Sequence, residues 1–312
     1  MNTAWREYLD QIGELRDGRL YRVRRASPEP SAGWIGALSC MVPVAVTGAD
    51  AKDFLQGQLS ADLNRLSEES CLLTAWHDAR GRVQSLMYLL VHQDRLVLVL
   101  PEEQLDPVLK RLQMYVLRQD VHFERLDEET VLTGIFAEAG SAAAPGTCLA
   151  GIPDFSLHLG SVAETIDLWD SLLQKDWQVL SWDAWRAIEI RLGIPRILPE
   201  TAGSFLPQFL DLERFEGLHY DKGCYIGQEV IARTHHLGTV KRGLYQAQAD
   251  GSAQPGDEIH EPDGTTAGQV LDCAPEESGF RIQTVLRHAA AENPLQLADG
   301  TPLESLIRGA AA

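Results

Sequence analysis

The chain has 312 residues, which is enough for roughly two or three domains that each bury a core. Hydrophobic residues make up 45% of the sequence and charged residues 23%, as in an ordinary globular protein. The formal net charge of −18 argues against a broad phosphate-binding surface, because nucleic-acid-binding proteins usually present a basic face. The composition therefore predicts no direct nucleic-acid partner.

Hydropathy gives no sign of a membrane-spanning segment. The most hydrophobic run, residues 85–101, is interrupted by polar residues at 92–95, and a spanning helix needs about 20 consecutive apolar residues. The N-terminus mixes acidic and polar residues without the apolar centre of a signal peptide. We expect a cytoplasmic protein without a membrane partner.

The cysteines are scattered along the chain. An odd number without a C-x-x-C pair favours neither a disulfide framework nor a local zinc site, and an iron–sulfur cluster usually needs about four thiolates at close spacing. We therefore predict no metal site in this chain. The five positions are Cys40, Cys71, Cys148, Cys224 and Cys273.

The first part of the chain reads as an α+β domain, residues 1–136. Apolar spacing predicts a helix from Trp5 to Leu15 and another that carries Leu105 to Val116, with Pro107 in its first turn. Between them, alternating apolar residues predict strands at 72–76, 83–91 and 95–100, the last two joined as a hairpin, and a turn at 78–81.

The remainder predicts a second α+β subdomain, 137–240, and a small C-terminal domain, 241–312. A Gly/Ala/Pro-rich stretch at 137–152 marks the first boundary as a loop or crossing. Helical spacing follows at 162–175, 182–192 and 228–236, the last ended by Gly238. Beyond Lys241, short apolar runs punctuated by glycine and proline predict a small β-barrel.

The densest polar chemistry lies in DKGCYIGQEVIARTHHLGTVKR, residues 221–242, where glycines surround Cys224. Cys224 would lie just before a helix N-terminus, whose partial positive charge, together with the ammonium of Lys222, favours a reactive thiolate. The alternative is a small cysteine that simply packs in a glycine-rich turn. Spacing alone does not decide between them.

The segment KGCYIGQEVIAR closely resembles the signature of the YgfZ family, folate-binding proteins related to the glycine-cleavage T-protein. VAVTGADAKDFLQGQLSADLNRL and HDARGRV resemble the opening domain of the T-protein superfamily. The resemblance implies a T-protein-like folate-binding fold and a ligand that is tetrahydrofolate or a derivative. It also implies transient contact with iron–sulfur enzymes or their assembly factors, and an indirect effect on tRNA thiolation.

Two positions depart from the pattern of the superfamily enzyme. Gln84 and Ser85 stand nearest the place of an aspartate near the folate-bound substrate, and Arg191 stands where a glutamate is presented to the pterin. Neither an amide nor a hydroxyl can act as a carboxylate base or stabilise a developing cation as a carboxylate does. The sequence therefore disfavours aminomethyl transfer.

The resemblance and the residues together predict a folate-binding accessory protein with Cys224 as its reactive group. Two alternatives stay open, a folate-dependent aminomethyltransferase-like enzyme and a non-catalytic folate sensor, and whether any reaction is catalysed is open too. Lys222 and Arg233 supply cations for the folate, and the other predicted contacts carry amide, phenol or guanidinium groups. The predicted folate-binding residues are Lys222, Tyr225, Gln228, Arg233, Gln84 and Arg191.

Overall fold

The fold was analysed in a computed structural model that describes residues 2–24, 32–138, 144–276 and 278–309. Within these ranges the chain forms two compact, discontinuous units. Unit 1 comprises residues 1–74, 87–182 and 214–217, and unit 2 comprises residues 75–86, 183–213 and 218–312. The division predicted from the sequence, 1–136, 137–240 and 241–312, stays a prediction.

Short helices and strands alternate along the first unit. Its helices are α1 (Thr3–Ile12), α2 (Ala51–Gln58), α3 (Glu102–Val116) and α4 (Val162–Leu173). Its first strands are β1 (Gly13–Arg16), β2 (Arg19–Val23), β3 (Gly33–Ala37), β4 (Met41–Thr47), β5 (Ser70–His77), β6 (Val83–His92) and β7 (Arg95–Pro101). They are followed by β8 (His122–Arg125), β9 (Thr130–Ala137), β10 (Thr147–Leu149), β11 (Ile152–Ser161) and β12 (Trp177–Leu180).

In the described part of unit 1, ten strands form one mixed sheet in the order β12-β3-β9-β11-β10-β5-β6-β7-β4-β8. Strands β10 and β12 run parallel to β5 and β3, respectively. The ends of β5 and β6 that face the 78–82 turn belong to unit 2. The 78–82 turn therefore joins the end of β5 to the start of β6.

Aromatic side chains hold α1 and α4 together in the core of unit 1. The rings of Trp5 and Trp169 meet edge to face with centroids 5.1 Å apart, a favoured arrangement for buried aromatic pairs. The indole of Trp169 donates to Thr133 Oγ1 at 2.9 Å, so its polar atom is satisfied inside the core. Helix α4 begins with a capping box between Ser161 and Glu164.

Unit 2 carries α5 (Trp182–Arg191), whose first residue lies in unit 1, α6 (Gln228–Leu237) and the C-terminal strands. Short 3₁₀ turns at Pro207–Leu210 and Leu212–Phe215 interrupt the connection between the two helices. Among the residues described there, six strands form one curled antiparallel sheet, which has the shape of a half-barrel. The strands are β13 (Arg242–Ala249), β14 (Glu258–His260), β15 (Thr266–Pro275), β16 (Phe280–Arg287), β17 (Gln296–Leu297) and β18 (Glu304–Arg308).

A buried charge network joins α5 to this sheet. The guanidinium of Arg186 donates to Glu189 on the same helix and to Asp272 on β15, and each side chain is at most 6% exposed. Burial alone would lower the pKa of Arg186, but the two carboxylates outweigh burial and raise it. The arginine therefore stays charged, and it compensates the buried negative charge of both carboxylates.

Most elements predicted from the sequence are confirmed. The α+β class with a C-terminal barrel-like sheet is observed, as are the β6–β7 hairpin and the helices α4, α5 and α6. Residues 139–143 of the predicted boundary stretch lie outside the described residues, and its later part contains β10 and the start of β11. No helix in the described ranges is long and apolar enough to cross a membrane.

Two helix boundaries were predicted wrongly. Helix α1 ends at Ile12, and β1 pairs with β2 across a turn in which Asp17 and Gly18 both have positive φ. Helix α3 begins at Glu102, so Pro107 lies in its second turn rather than its first. The proline has no N–H to donate, so α3 forms without one of its interior hydrogen bonds.

Candidate functional site

Cys224 lies in the loop that leads into α6. The N-cap of this helix is Gly227, in a left-handed conformation with φ 80°, and no side chain caps the helix. Cys224 stands three residues before this cap and is exposed. The structure thus places the thiol before the helix N-terminus, as the sequence predicted, and exposes it to solvent.

A second turn, residues 78–82, packs tightly against this loop. The carboxylate of Asp78 accepts from the backbone N–H groups of Arg80 and Arg82, each at 2.9 Å. A Cβ added to Gly227 would lie 2.6 Å from the carbonyl oxygen of Asp78 and 2.7 Å from the Cα of Gly81. Only a glycine allows this approach, so Gly227 holds the two segments together.

A cavity of about 530 Å³ opens between these segments. Its volume lies within the range of roughly 300–1,000 Å³ typical of small-molecule sites. Three of the predicted site residues, Cys224, Tyr225 and Gln228, line it together. The full lining is Ala79, Cys224, Tyr225, Ile226, Gly227, Gln228, Glu229 and Ala232.

Tyr225 is the buried wall of this cavity. The residue is only 6% exposed, and its hydroxyl has no hydrogen-bond partner in the described parts of the chain. Burial raises the pKa of Tyr225, so the phenol stays protonated and able to donate. The ammonium of Lys222 lies 5.1 Å from the centroid of the Tyr225 ring, within the distance of a cation–π contact.

His77 is a buried neighbour of the Tyr225 ring that no sequence signal predicted. Its ring centroid lies 6.0 Å from that of Tyr225, the residue is fully buried, and both ring nitrogens lack hydrogen-bond partners within the described residues. Burial, assisted by the positive charge of Lys222, lowers the pKa of His77 to about 3. The imidazole is therefore neutral at physiological pH. A single histidine before a turn gives no sequence signal of this burial.

Comparison with known proteins identifies the family. No protein-family model matches the chain. The tRNA-modifying protein YgfZ of Yersinia pestis (strain Pestoides F) is 31% identical over 278 residues, which cover 83% of this chain and 79% of that protein. The chain belongs to the YgfZ family.

Two further similarities extend over most of the chain. An uncharacterised protein of Haemophilus influenzae is 31% identical to this YgfZ-family chain over 225 residues, covering 69% of the chain and 74% of the relative. Among solved structures, the glycine cleavage system aminomethyltransferase T of Bartonella henselae superposes with a TM-score of 0.71. It covers 100% of this chain and 97% of its own at 12% identity, so it shows the fold alone.

In this YgfZ-family chain, Gln228 supports the loop as well as lining the cavity. Its amide nitrogen lies 3.4 Å from the carbonyl oxygen of Tyr220 and 3.3 Å from that of Lys222. Arg233 lies one turn further along α6, where it is exposed and donates to Glu229 at 2.6 Å. The structure therefore places Lys222, Tyr225 and Gln228 together. Lys222 and Arg233 are not among the described residues that line the cavity.

The two positions that depart from the superfamily enzyme also lie outside this lining. The amide of Gln84 lies 3.4 Å from the Asp78 carboxylate and 3.3 Å from the carbonyl of Arg82. Arg191 is the exposed last residue of α5, and its carbonyl accepts from Gln246 at 3.0 Å. Contact of Gln84 and Arg191 with a folate stays a prediction.

The serine beside Gln84 is enclosed in the protein. Ser85 is fully buried on β6, and its hydroxyl lies 3.4 Å from the carbonyl oxygen of Leu86. Gln84 and Arg191 carry an amide and a guanidinium, so neither can act as a carboxylate base. In the described residues, no group of three or more His, Cys, Asp or Glu is arranged to hold a metal ion.

Proposed function

We propose that this YgfZ-family protein binds tetrahydrofolate or a derivative at the Cys224 cavity and acts as an accessory factor for iron–sulfur enzymes. The observation that carries the proposal is that an exposed thiol, at Cys224, and a buried phenol with no partner among the described residues, at Tyr225, line the same cavity. A reduced folate presents a flat ring with polar edges and an anionic tail. The cavity offers an apolar wall, polar atoms and the nearby cation of Lys222, which are matching features.

The proposed cellular role is support of cluster assembly or repair in enzymes that modify tRNA. The relatives named as tRNA-modifying proteins motivate this role. The scattered cysteines argue that clusters reside in partner enzymes, and the net charge of −18 argues that any effect on tRNA is indirect. Partner enzymes or assembly factors would then contact the exposed Cys224 thiol transiently.

Binding is tested by isothermal titration of the purified protein with folinic acid, a stable reduced folate. A saturable heat supports the folate site, and the absence of binding at millimolar ligand contradicts it. A Gly227→Ala variant should weaken binding, because the added Cβ pushes the 78–82 turn away from the cavity. Gly223→Ala is the matched control, since a Cβ there meets nothing within 4 Å.

The role of the thiol is tested in a strain that lacks this protein. Cys224→Ala should fail to restore tRNA thiolation and the activity of an iron–sulfur tRNA-modifying enzyme. Cys148→Ala, which removes a half-buried thiol in unit 1, should restore both. Full restoration by Cys224→Ala would remove the thiol from the mechanism while leaving folate binding in place.

A further inference from the structure

An exposed apolar cluster lies at the C-terminal end of α3. Its members, Met114, Tyr115 and Leu117, fall within four consecutive positions and are 69%, 45% and 88% exposed. The side chains that α3 buries form a different set, Gln104, Leu105, Val108 and Leu112. Large apolar side chains that are exposed side by side usually mark an interaction surface. The apolar cluster therefore predicts a partner for the outer face of α3.

Leu117 is unfavourable in the isolated chain for two reasons. It follows the last residue of α3 with φ 49° and ψ −99°, a conformation that strains a residue with a Cβ and that glycine adopts freely. Its side chain is also 88% exposed, so it gains little from burial within the fold. A leucine at this position becomes favourable when a partner buries its side chain.

The charges along α3 are divided between its two halves. The first half carries an acidic end, which consists of Glu102, Glu103 and Asp106. The second half and the residues that follow it carry a basic end, which consists of Lys110, Arg111 and Arg118. All six side chains are exposed, and the three cations form no ion pair with another described residue. The basic end therefore remains available to carboxylates outside the chain.

We propose that the outer face of α3 is the contact between two copies of this chain, which pair with their α3 helices antiparallel about a two-fold axis. Reversal of one helix places the acidic end of each copy opposite the basic end of the other. A second copy supplies this complementary pattern by itself, because both ends lie on the same helix. A contact that uses the same surface on both copies closes as a dimer.

The helical rise places the two apolar clusters near this axis. With the axis at the level of residue 112, a rise of about 1.5 Å per residue puts the two Met114 residues about 6 Å apart along the helices. Asp106 then lies opposite Arg118 of the partner subunit. The apolar clusters thus form the centre of the contact and the ion pairs form its rim, as in other protein interfaces.

The contact is small, so the dimer is weak. Helix α3 has 15 residues and is about 22 Å long, which keeps the contact below about 1,200 Å², the range of weak and transient complexes. We expect a dissociation constant of roughly 10 μM to 1 mM. The association is therefore measured at high protein concentration.

The charge test uses two variants of the full chain. Glu102→Lys with Asp106→Lys reverses the acidic end, and Arg111→Glu with Arg118→Glu reverses the basic end. Each variant alone sets like charges opposite each other, so neither should dimerise. An equimolar mixture of the two should dimerise like the wild type, because the facing ends are then opposite in sign. Sedimentation velocity from about 10 μM to about 1 mM measures the association.

The apolar test uses Leu117→Gly. This variant should raise the dissociation constant at least roughly tenfold, because it removes a side chain that the dimer buries. In dilute solution, where the chain is monomeric, it should unfold at or above the wild-type temperature, because glycine relieves the strained backbone. The control is Leu173→Ala, which removes an exposed leucine at the end of α4 and should leave the dissociation constant unchanged.

The opposing outcomes are distinct. Wild-type protein that stays monomeric at about 1 mM overturns the proposal, also where it binds vesicles of phosphatidylglycerol, because the occupant is then a membrane. Dimers that persist in either charge variant alone, or in Leu117→Gly at wild-type affinity, place the contact on another surface. Failure of the mixture to dimerise, or assembly of the wild type beyond a dimer, rules out the antiparallel pairing. Circular dichroism checks that each variant folds, and should a charge variant not fold, Leu117→Gly decides.

Discussion

The buried neutral state of His77 predicts a measurable acid sensitivity of unit 2. An unfolded histidine titrates near pH 6.5, whereas the pKa of His77 in the fold is about 3. Between these values the unfolded chain binds a proton that the folded chain does not, so stability is fully present above pH 6.5 and falls as the pH is lowered towards 3. The loss is up to about 1.4 kcal/mol per pH unit.

Linkage gives the size of the effect. Between pH 7 and pH 5, protonation of the unfolded imidazole should cost roughly 2 kcal/mol, because the folded imidazole takes up almost no proton in this range. The neighbouring Tyr225 phenol does not offset this cost, because burial raises its pKa and it keeps its proton throughout this range. In His77→Gln, which cannot be protonated, this contribution should vanish.

The assay is equilibrium urea unfolding of wild type, His77→Gln and His235→Gln at pH 7 and pH 5, each without ligand. The compared quantity is the change in unfolding free energy between the two pH values, so a constant cost of the substitution cancels. His77→Gln should reduce that change by roughly 2 kcal/mol, and His235→Gln, which alters an exposed histidine of α6, should not. An identical pH dependence of wild type and His77→Gln would refute the buried neutral imidazole.

Three further predictions concern the same unit. Gly227→Ala should lower the unfolding free energy by roughly 1–3 kcal/mol, because the φ of 80° at this position and a 2.6 Å Cβ contact both oppose a side chain. The unfolding free energy of the control Gly223→Ala should stay within about 0.5 kcal/mol of the wild-type value. Equal losses in the two variants would contradict this prediction. Arg186→Met should lower the unfolding free energy measured in urea by about 3–5 kcal/mol, because it leaves two buried carboxylates uncompensated. Arg233→Met, which removes an exposed ion pair, should lower it by less than about 1 kcal/mol. Iodoacetamide should label Cys224 first in the native protein, since the other four cysteines are buried or half-buried; mass spectrometry that finds another cysteine labelled first would contradict this.

Local sequence signals explain which elements were predictable. The β6–β7 hairpin and helices α4 to α6 have clean periodicity and clear end signals, so their positions follow from the chain itself. The β1–β2 hairpin also had a signal, the Asp17-Gly18 pair between Leu15 and Leu20, which is typical of a tight hairpin turn. The prediction missed this hairpin because the helical apolar spacing that starts at Trp5 continues to Leu15.

The capping of α2 illustrates what periodicity cannot supply. Thr47-x-x-Asp50 resembles a capping box, but the Asp50 side chain makes no cap hydrogen bond. Its carboxylate instead accepts from the backbone N–H of Asp120 at 2.8 Å, and the Asp120 carboxylate accepts from Ala49 at 2.9 Å. Two segments seventy residues apart in sequence thus satisfy each other, and a local motif gives no information about such a pair.

The candidate site also depends on segments that are far apart in the sequence. The motif around Cys224 is recognisable by itself, yet its chemistry depends on the 78–82 turn, which lies far away in the sequence. The close approach of Gly227 to Gly81 and to the Asp78 carbonyl fixes the two segments against each other. The turn follows His77 directly in the chain, and the His77 ring lies 6.0 Å from that of Tyr225. The Cys224 loop and the 78–82 turn therefore form two sides of one cavity, which Tyr225 of the loop and Ala79 of the turn both line.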